Sequence, residues 1–251
     1  MIREGLPQNP LHHKVFHMLK KELILKDPLN FLGYETDDLI QKGNFGAVMS
    51  RAGVGKTAFL VQIGISGMLK DNRVLHVGIQ DPVDKVNLWY QEMFTNLTQG
   101  HETKKVRELW ESLLNLRFIM TFETETFDFM KLIARIDELV AQNIFIPQVM
   151  ILDGLSIDTA NPSELKHFKE YARTKNFMVW FSIRSHRHHA DDPLGILKQW
   201  EGGNPNLFEM VIQLLPDKDK ILVKRLAPDG EIQERPPLFL DPSTMMIKET
   251  N

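Results

Sequence analysis

Ser50-Arg51-Ala52-Gly53-Val54-Gly55-Lys56-Thr57 joins an apolar run, 44–49, to a segment of helical periodicity that begins at Lys56. Two glycines in so short a connection permit left-handed backbone, which lets successive N–H groups converge on one point. A helix starting there adds the positive end of its dipole, so an anion such as phosphate is a natural occupant. Lys56 then supplies an ammonium to the β- and γ-phosphates, and the Thr57 hydroxyl is placed to hold Mg²⁺. The spacing fits the pattern glycine, four residues, glycine, lysine, then serine or threonine, set between a strand and a helix. Ser50 stands where that pattern has glycine, so it has to adopt whatever dihedral angles the glycine would take. A chance glycine-rich turn ahead of a helix is the plain alternative.

A second segment, Gln148-Val149-Met150-Ile151-Leu152-Asp153, is an apolar run that ends in a carboxylate. Many buried parallel strands end in aspartate, so this signal is weak alone. Paired with Lys56 and Thr57 it gains weight. In phosphate-binding loops of this kind such an aspartate lies beside the first strand and holds Mg²⁺ through its water shell.

Outward from these segments the chain alternates. Short apolar runs rich in β-branched and aromatic residues are expected as strands at 44–49, 74–79, 116–121, 148–152 and 177–183. Amphipathic stretches at 56–69, 83–95, 103–114, 127–142 and 162–174 are expected as helices. This is the pattern of an α/β fold with a mostly parallel sheet and crossover helices. In the 127–142 stretch, Met130, Ile133, Ile136 and Val140 fall on one stripe, with Lys131, Arg135 and Asp137 off it. After residue 183 a polar stretch, 184–206, precedes apolar runs at 207–214, 220–227 and 231–240, then a short 245–248 segment. Pro228-Asp229-Gly230 separates two of the runs as a turn, giving an antiparallel extension of the sheet. Ahead of the sheet, Leu11, Val15, Met18, Leu19, Ile24 and Leu25 recur at roughly helical spacing until Asp27-Pro28. Residues 1–28 are read as a helical arm and 29–251 as the main domain. The arm either packs on its own domain or docks on a neighbouring subunit.

The 251 residues are 43% hydrophobic with no cysteine, an ordinary globular composition. It excludes disulfide frameworks, thiolate zinc sites and a cysteine nucleophile. The 30 Lys and Arg against 33 Asp and Glu give a net charge of −3, so no global positive field draws the chain to nucleic acid or an anionic membrane. No apolar run approaches the roughly 20 residues of a membrane span. The first 25 residues mix His, Lys and apolar side chains instead of forming a signal-peptide core, and a cytoplasmic location is expected.

With these residues in place the chain resembles the RecA-like P-loop ATPases, in the branch of KaiC-type proteins and DnaB-type helicases. The resemblance is carried by the segment from Ser50 to Thr57 with Ala58-Phe59, by Val74-Leu75-His76-Val77-Gly78-Ile79-Gln80-Asp81-Pro82, by the Asp153 strand, and by Ile221-Leu222-Val223-Lys224-Arg225. It spans roughly 29–246, with only the loop specific. It implies a mostly parallel twisted sheet with helices on both faces. It also implies ATP or ADP bound by Ser50, Arg51, Ala52, Gly53, Val54, Gly55, Lys56, Thr57 and Ala58, with Mg²⁺ at Thr57 and Asp153. A homo-oligomer, a ring among the options, is the implied assembly.

In that family the strand after the loop's helix ends in a glutamate that polarises the attacking water; here Gln80 takes its place. An amide orients water but accepts no proton, and a positioned base is worth about 10² to 10⁴ in rate, so hydrolysis is expected to be weak. Asp81 either substitutes as base or caps the following helix, with Pro82 at its first position. The family also inserts a lysine and an arginine into the next subunit's site. Lys224 matches the lysine, while Leu226 holds the arginine's position and Arg225 falls one residue early, on the other side of a regular strand. Both are otherwise ordinary edge-strand charges. Arg184-Ser185-His186-Arg187-His188-His189 and Asp191-Asp192 fall where relatives line a channel. They suit phosphate contacts, a metal site or a solvated loop, but no aromatic follows before Trp200 to stack a base.

Three functions are weighed. The first is an oligomeric Mg-ATP-dependent switch or assembly factor of slow turnover. The second is a DNA-binding helicase- or recombinase-type motor, and the third a catalytically silent nucleotide-binding scaffold. Kinase chemistry is disfavoured, because no arginine-rich lid separates the Asp153 and 177–183 runs.

Overall fold

The computed structural model describes residues 10–34, 43–155, 161–184, 207–226 and 237–249. The chain builds one mixed α/β sheet from β1 (Phe45–Ser50), β2 (Val74–Ile79), β3 (Arg117–Phe122), β4 (Val149–Asp153), β5 (Met178–Arg184), β6 (Met210–Asp217), β7 (Lys220–Leu226), β8 (Leu238–Leu240) and β9 (Ile247–Glu249). The helices are α1 (Pro10–Ile24), α2 (Pro28–Phe31), α3 (Lys56–Leu69), α4 (Val83–Leu97), α5 (Thr103–Leu113), α6 (Phe129–Ala141) and α7 (Pro162–Lys175). Among the described residues no helix is long and apolar enough to cross a membrane.

Strand order is β3-β2-β4-β5-β1-β6-β7-β8-β9. The strands from β3 to β6 pair in parallel, and β7 to β9 add antiparallel pairings. β1, β2 and β4 are buried along their whole length, as parallel strands covered on both faces must be. Alternate residues feed two cores. Val48, Ile151 and Trp180 face α3 and α4, whereas Ala47, Leu152 and Phe181 face α6 and α7.

Two expectations about the sheet change. The run at 207–214 becomes β6, which pairs in parallel with β1 (Gly46↔Met210 to Met49↔Gln213), so the antiparallel part begins only at β7. Its turn is Lys218-Asp219, with Lys218 at φ 51°, between the paired Asp217 and Lys220. The expected turn at Pro228-Asp229-Gly230 lies outside the described residues. In α6 the buried stripe is Phe129, Leu132, Ile133 and Ile136, and Met130 is 56% exposed. The buried residues recur at i, i+3, i+4 and i+7, and Asp128 caps the helix start, its carboxylate accepting from Met130 N and Lys131 N.

α1 packs on α3 and α5 of its own chain through Leu19 and Leu23. Lys20 adds an ion pair to Asp71, and Asp27 at the end of this region is paired with Lys70 at 2.7 Å. On the other face of the sheet, at the start of β1, the buried Lys169 of α7 donates to Leu207 O and to Glu209 Oε1 (2.6 Å), while Glu209 Oε2 accepts from Phe45 N at 2.8 Å. One ion pair thereby anchors α7 to the start of β1 and to the segment leading into β6.

Candidate functional site

β1 ends at Ser50 in extended backbone, so the serine carries no conformational strain at the position where the loop pattern has glycine. The connection 51–55 then needs left-handed backbone twice, at Gly53 (φ +77°) and Gly55 (φ +111°). Gly55 is the N-cap of α3, and no side chain caps the helix. The helix N-terminus therefore keeps N–H groups directed out of its first turn, with the positive end of the dipole behind them.

Lys56 folds back over this loop. Its ammonium donates to Ser50 O (3.1 Å), Ser50 Oγ (3.3 Å) and Arg51 O (3.0 Å). Burial pushes the Lys56 pKa down, the Asp153 carboxylate opposes that shift, and the Arg184 guanidinium adds to it. Next along the helix, Thr57 Oγ1 donates to Asp153 Oδ2 at 2.7 Å across 96 positions of sequence.

The expectation that the Asp153 strand lies beside the first strand is corrected: β5 is inserted between β1 and β4. The contact forms because α3 crosses back over the sheet and packs on β4, bringing its first turn to the carboxyl end of that strand. Gly154 follows Asp153 at φ +94°, and a Cβ there would lie 2.4 Å from Ile79 O. Gly154 N donates to Ser182 Oγ of β5 at 2.8 Å. The reading of the sequence missed Ser182; its only signal is a hydroxyl in an otherwise apolar run. Arg184, expected in a channel-lining loop, is instead the last residue of β5 and pairs in register with Ser50. Residues 185–192, with their His and Asp side chains, and Trp200 lie outside the described residues.

Gln80 follows the end of β2 in left-handed backbone at φ 81°. Gln80 N donates to Phe122 O (2.9 Å) and Nε2 donates to Thr124 Oγ1 (2.6 Å), so the amide is engaged on the β3 side of the sheet. Asp81 does not cap α4, whose N-cap is Pro82 without a side-chain bond. It pairs with Lys85 at 2.7 Å.

Lys224 and Arg225 sit on β7, which lies between β6 and β8 and is not an edge strand. β6 separates them from β1. The Arg225 guanidinium lies over the Tyr34 ring, 4.1 Å from its centroid. Burial raises the pKa of Tyr34, and Arg225 partly offsets the shift.

The structure therefore brings Ser50, Arg51, Gly53, Gly55, Lys56, Thr57 and Asp153 together, with Ser182 and Arg184 added; Gln80 and Asp81 follow the strand beside Asp153 but bond to Thr124 and Lys85, Arg225 stacks on Tyr34, and Lys224 sits on β7 with β6 between it and β1. Among the described residues no group of three His, Asp or Glu side chains could hold a metal ion. A hydroxyl touching a carboxylate can share a hard divalent cation provided the other ligands are water or ligand oxygens. No family model and no curated protein matches this chain.

Proposed function

We propose that this chain is a RecA-like P-loop ATPase of slow turnover that binds Mg-ATP at the loop 51–55 and serves as an oligomeric, nucleotide-dependent switch or assembly factor. The observation that carries the reading is the Thr57–Asp153 contact at the head of α3, with the Lys56 ammonium in the adjoining loop. An anion-directed helix start, a cation and a hydroxyl–carboxylate pair are the parts that phosphoryl recognition requires.

Thr57 and Asp153 are the residues that would hold Mg²⁺, which when bound neutralises charge on the phosphates. Lys56 binds and orients the polyphosphate by exchanging the carbonyls of residues 50 and 51 for phosphate oxygens. The Gly154–Ser182 bond keeps Asp153 aimed at Thr57. Gln80 has no proton-accepting group to offer a water, and slow hydrolysis follows.

Titration of a fluorescent ATP analogue into wild type and Lys56→Ala tests the reading: the variant should bind at least tenfold more weakly, and equal affinity overturns it. Light scattering with and without Mg-ATP tests the assembly. A second reading, a catalytically silent scaffold, draws on the engagement of Gln80 with Thr124. It predicts binding without phosphate release, even on prolonged incubation.

A further inference from the structure

The turn between β8 and β9 is built to a fixed shape and set against the loop. Asp241 Oδ1 accepts from Ser243 N (2.9 Å) and Ser243 Oγ (2.6 Å), and Asp241 Oδ2 accepts from Lys248 Nζ. Asp241 N donates to Met246 O, and Met245 N donates back to Asp241 O. The shape holds Met245 at φ 57°, a left-handed conformation that a methionine adopts only where its surroundings impose it.

Two amides tie this turn to the helices beneath it. Gln62 of α3 donates from Nε2 to Met245 O at 2.7 Å, and Asn96 of α4 donates from Nδ2 to Thr244 O at 3.0 Å. The Met245 side chain then reaches Gly55. A Cβ at Gly55 would lie 2.6 Å from Met245 Cε and 4.0 Å from Leu240 Cδ1. Gly53, two residues away, would meet nothing within 4 Å. The loop thus has one open side, at Gly53, and one walled side, at Gly55, and the wall is the C-terminal turn.

We propose that Met245 is a positioning residue for the phosphate-binding loop: the turn at 241–246 braces Gly55 so that the first turn of α3 is preorganised for a polyphosphate. The proposal rests on the reading of the loop as a phosphate site. Preorganisation lowers the ordering cost of binding, so removing the brace weakens affinity without removing any ligand contact. Because Met245 acts through Gly55, the loss falls on the polyphosphate and is independent of the base.

The test uses the full chain as wild type, Met245→Gly, Met245→Ala and Met245→Leu. Met245→Gly removes the side chain and relieves the left-handed backbone, so its melting temperature should equal or exceed that of wild type. Its affinity for Mg-ATP and for inorganic triphosphate should fall by the same factor, about five- to tenfold. Met245→Ala should lose affinity likewise, and Met245→Leu should restore most of it. A loss confined to ATP would make the turn a wall for the base and overturn the brace. Amide hydrogen exchange of the ligand-free proteins provides a readout that needs no nucleotide. Exchange at Phe59, whose N–H closes the first turn of α3 onto Gly55 O at 3.0 Å, should accelerate in Met245→Gly, and unchanged exchange there overturns the proposal. Wild type that takes up neither ATP nor triphosphate would refute the phosphate-site reading, and the exchange result would still decide the brace.

Discussion

Thr57 Oγ1, in the first turn of α3, and Asp153 Oδ2, at the end of β4, lie 2.7 Å apart although β1, which leads into α3, is separated from β4 by β5. α3 closes the gap, because the helix that starts at the end of β1 packs on β4, two strands away. A hydroxyl and a carboxylate held at that distance are suited to a shared cation, and the first prediction concerns it. Asp153→Asn should cut the Mg²⁺ dependence of nucleotide affinity by about 10- to 100-fold. Isothermal titration with and without Mg²⁺ measures this; an unchanged Mg²⁺ dependence removes the cation from Asp153.

Under the proposed function, Gln80 stands where a water-polarising base would act. Gln80→Glu should raise steady-state phosphate release toward the 10²- to 10⁴-fold span expected of a positioned base. Gln80→Gly should leave turnover low while stabilising the fold by about 1 kcal/mol, since the backbone at φ 81° then has no Cβ penalty. Phosphate release by Gln80→Glu equal to wild type would show that this position does not limit hydrolysis.

His76, at the centre of β2, is fully buried with Nδ1 3.3 Å from Tyr90 Oη. Burial pushes its pKa down from 6.5 to about 4; Asp153 and Asp81 oppose the shift, and Arg117 adds to it. A histidine depressed in the folded state takes up protons on unfolding, so its contribution to stability is complete above pH 6.5 and is lost between 6.5 and 4. At pH 5 this histidine alone should remove about 2 kcal/mol relative to pH 7. Urea unfolding of wild type and His76→Gln at the two pH values tests it, and equal pH dependence in both excludes His76 as the source.

Lys169 and Glu209 form the ion pair at the start of β1, with side chains 6% and 28% exposed. Lys169→Met leaves the Glu209 carboxylate without its ammonium and should cost about 3 kcal/mol, the low end for a broken buried pair because Glu209 keeps some water. Denaturant midpoints of the single and double variants give the coupling. Additive losses would mean that the pair contributes nothing beyond packing.

The parallel half of the sheet was legible because β1, β2, β4 and β5 are short, mostly apolar runs buried on both faces, with few polar interruptions such as His76 and Ser182. The loop was legible because Gly53, Gly55, Lys56 and Thr57 are adjacent in sequence, so local chemistry alone defines them. What escaped is non-local. Nothing in Leu207 to Leu214 distinguishes a strand that pairs in parallel with β1 from one that opens a hairpin, since both are apolar runs. Asp153 was legible as the end of a strand but its neighbouring strand was not, because the insertion of β5 depends on pairing between residues far apart in sequence. The left-handed backbone at Gln80 and Met245 has no sequence signature, both being residue types that rarely adopt it. In α6 two overlapping apolar stripes have helical spacing, and the sheet takes the one through Phe129 and Leu132, leaving Met130 outside.

The position of β1 in the sheet has a consequence for how the chain matures. Its two neighbours, β5 and β6, are contributed by residues 178–184 and 210–213, so the strand made first waits more than 100 residues for either of them. High sequence separation of this kind slows folding. A ribosome-bound chain that has not yet emerged past Gln213 leaves β1 with an open side, and the anion-directed loop at its end has no rigid floor. On the proposed reading, competence for a polyphosphate should therefore appear in one step, late in synthesis, and not grow with chain length.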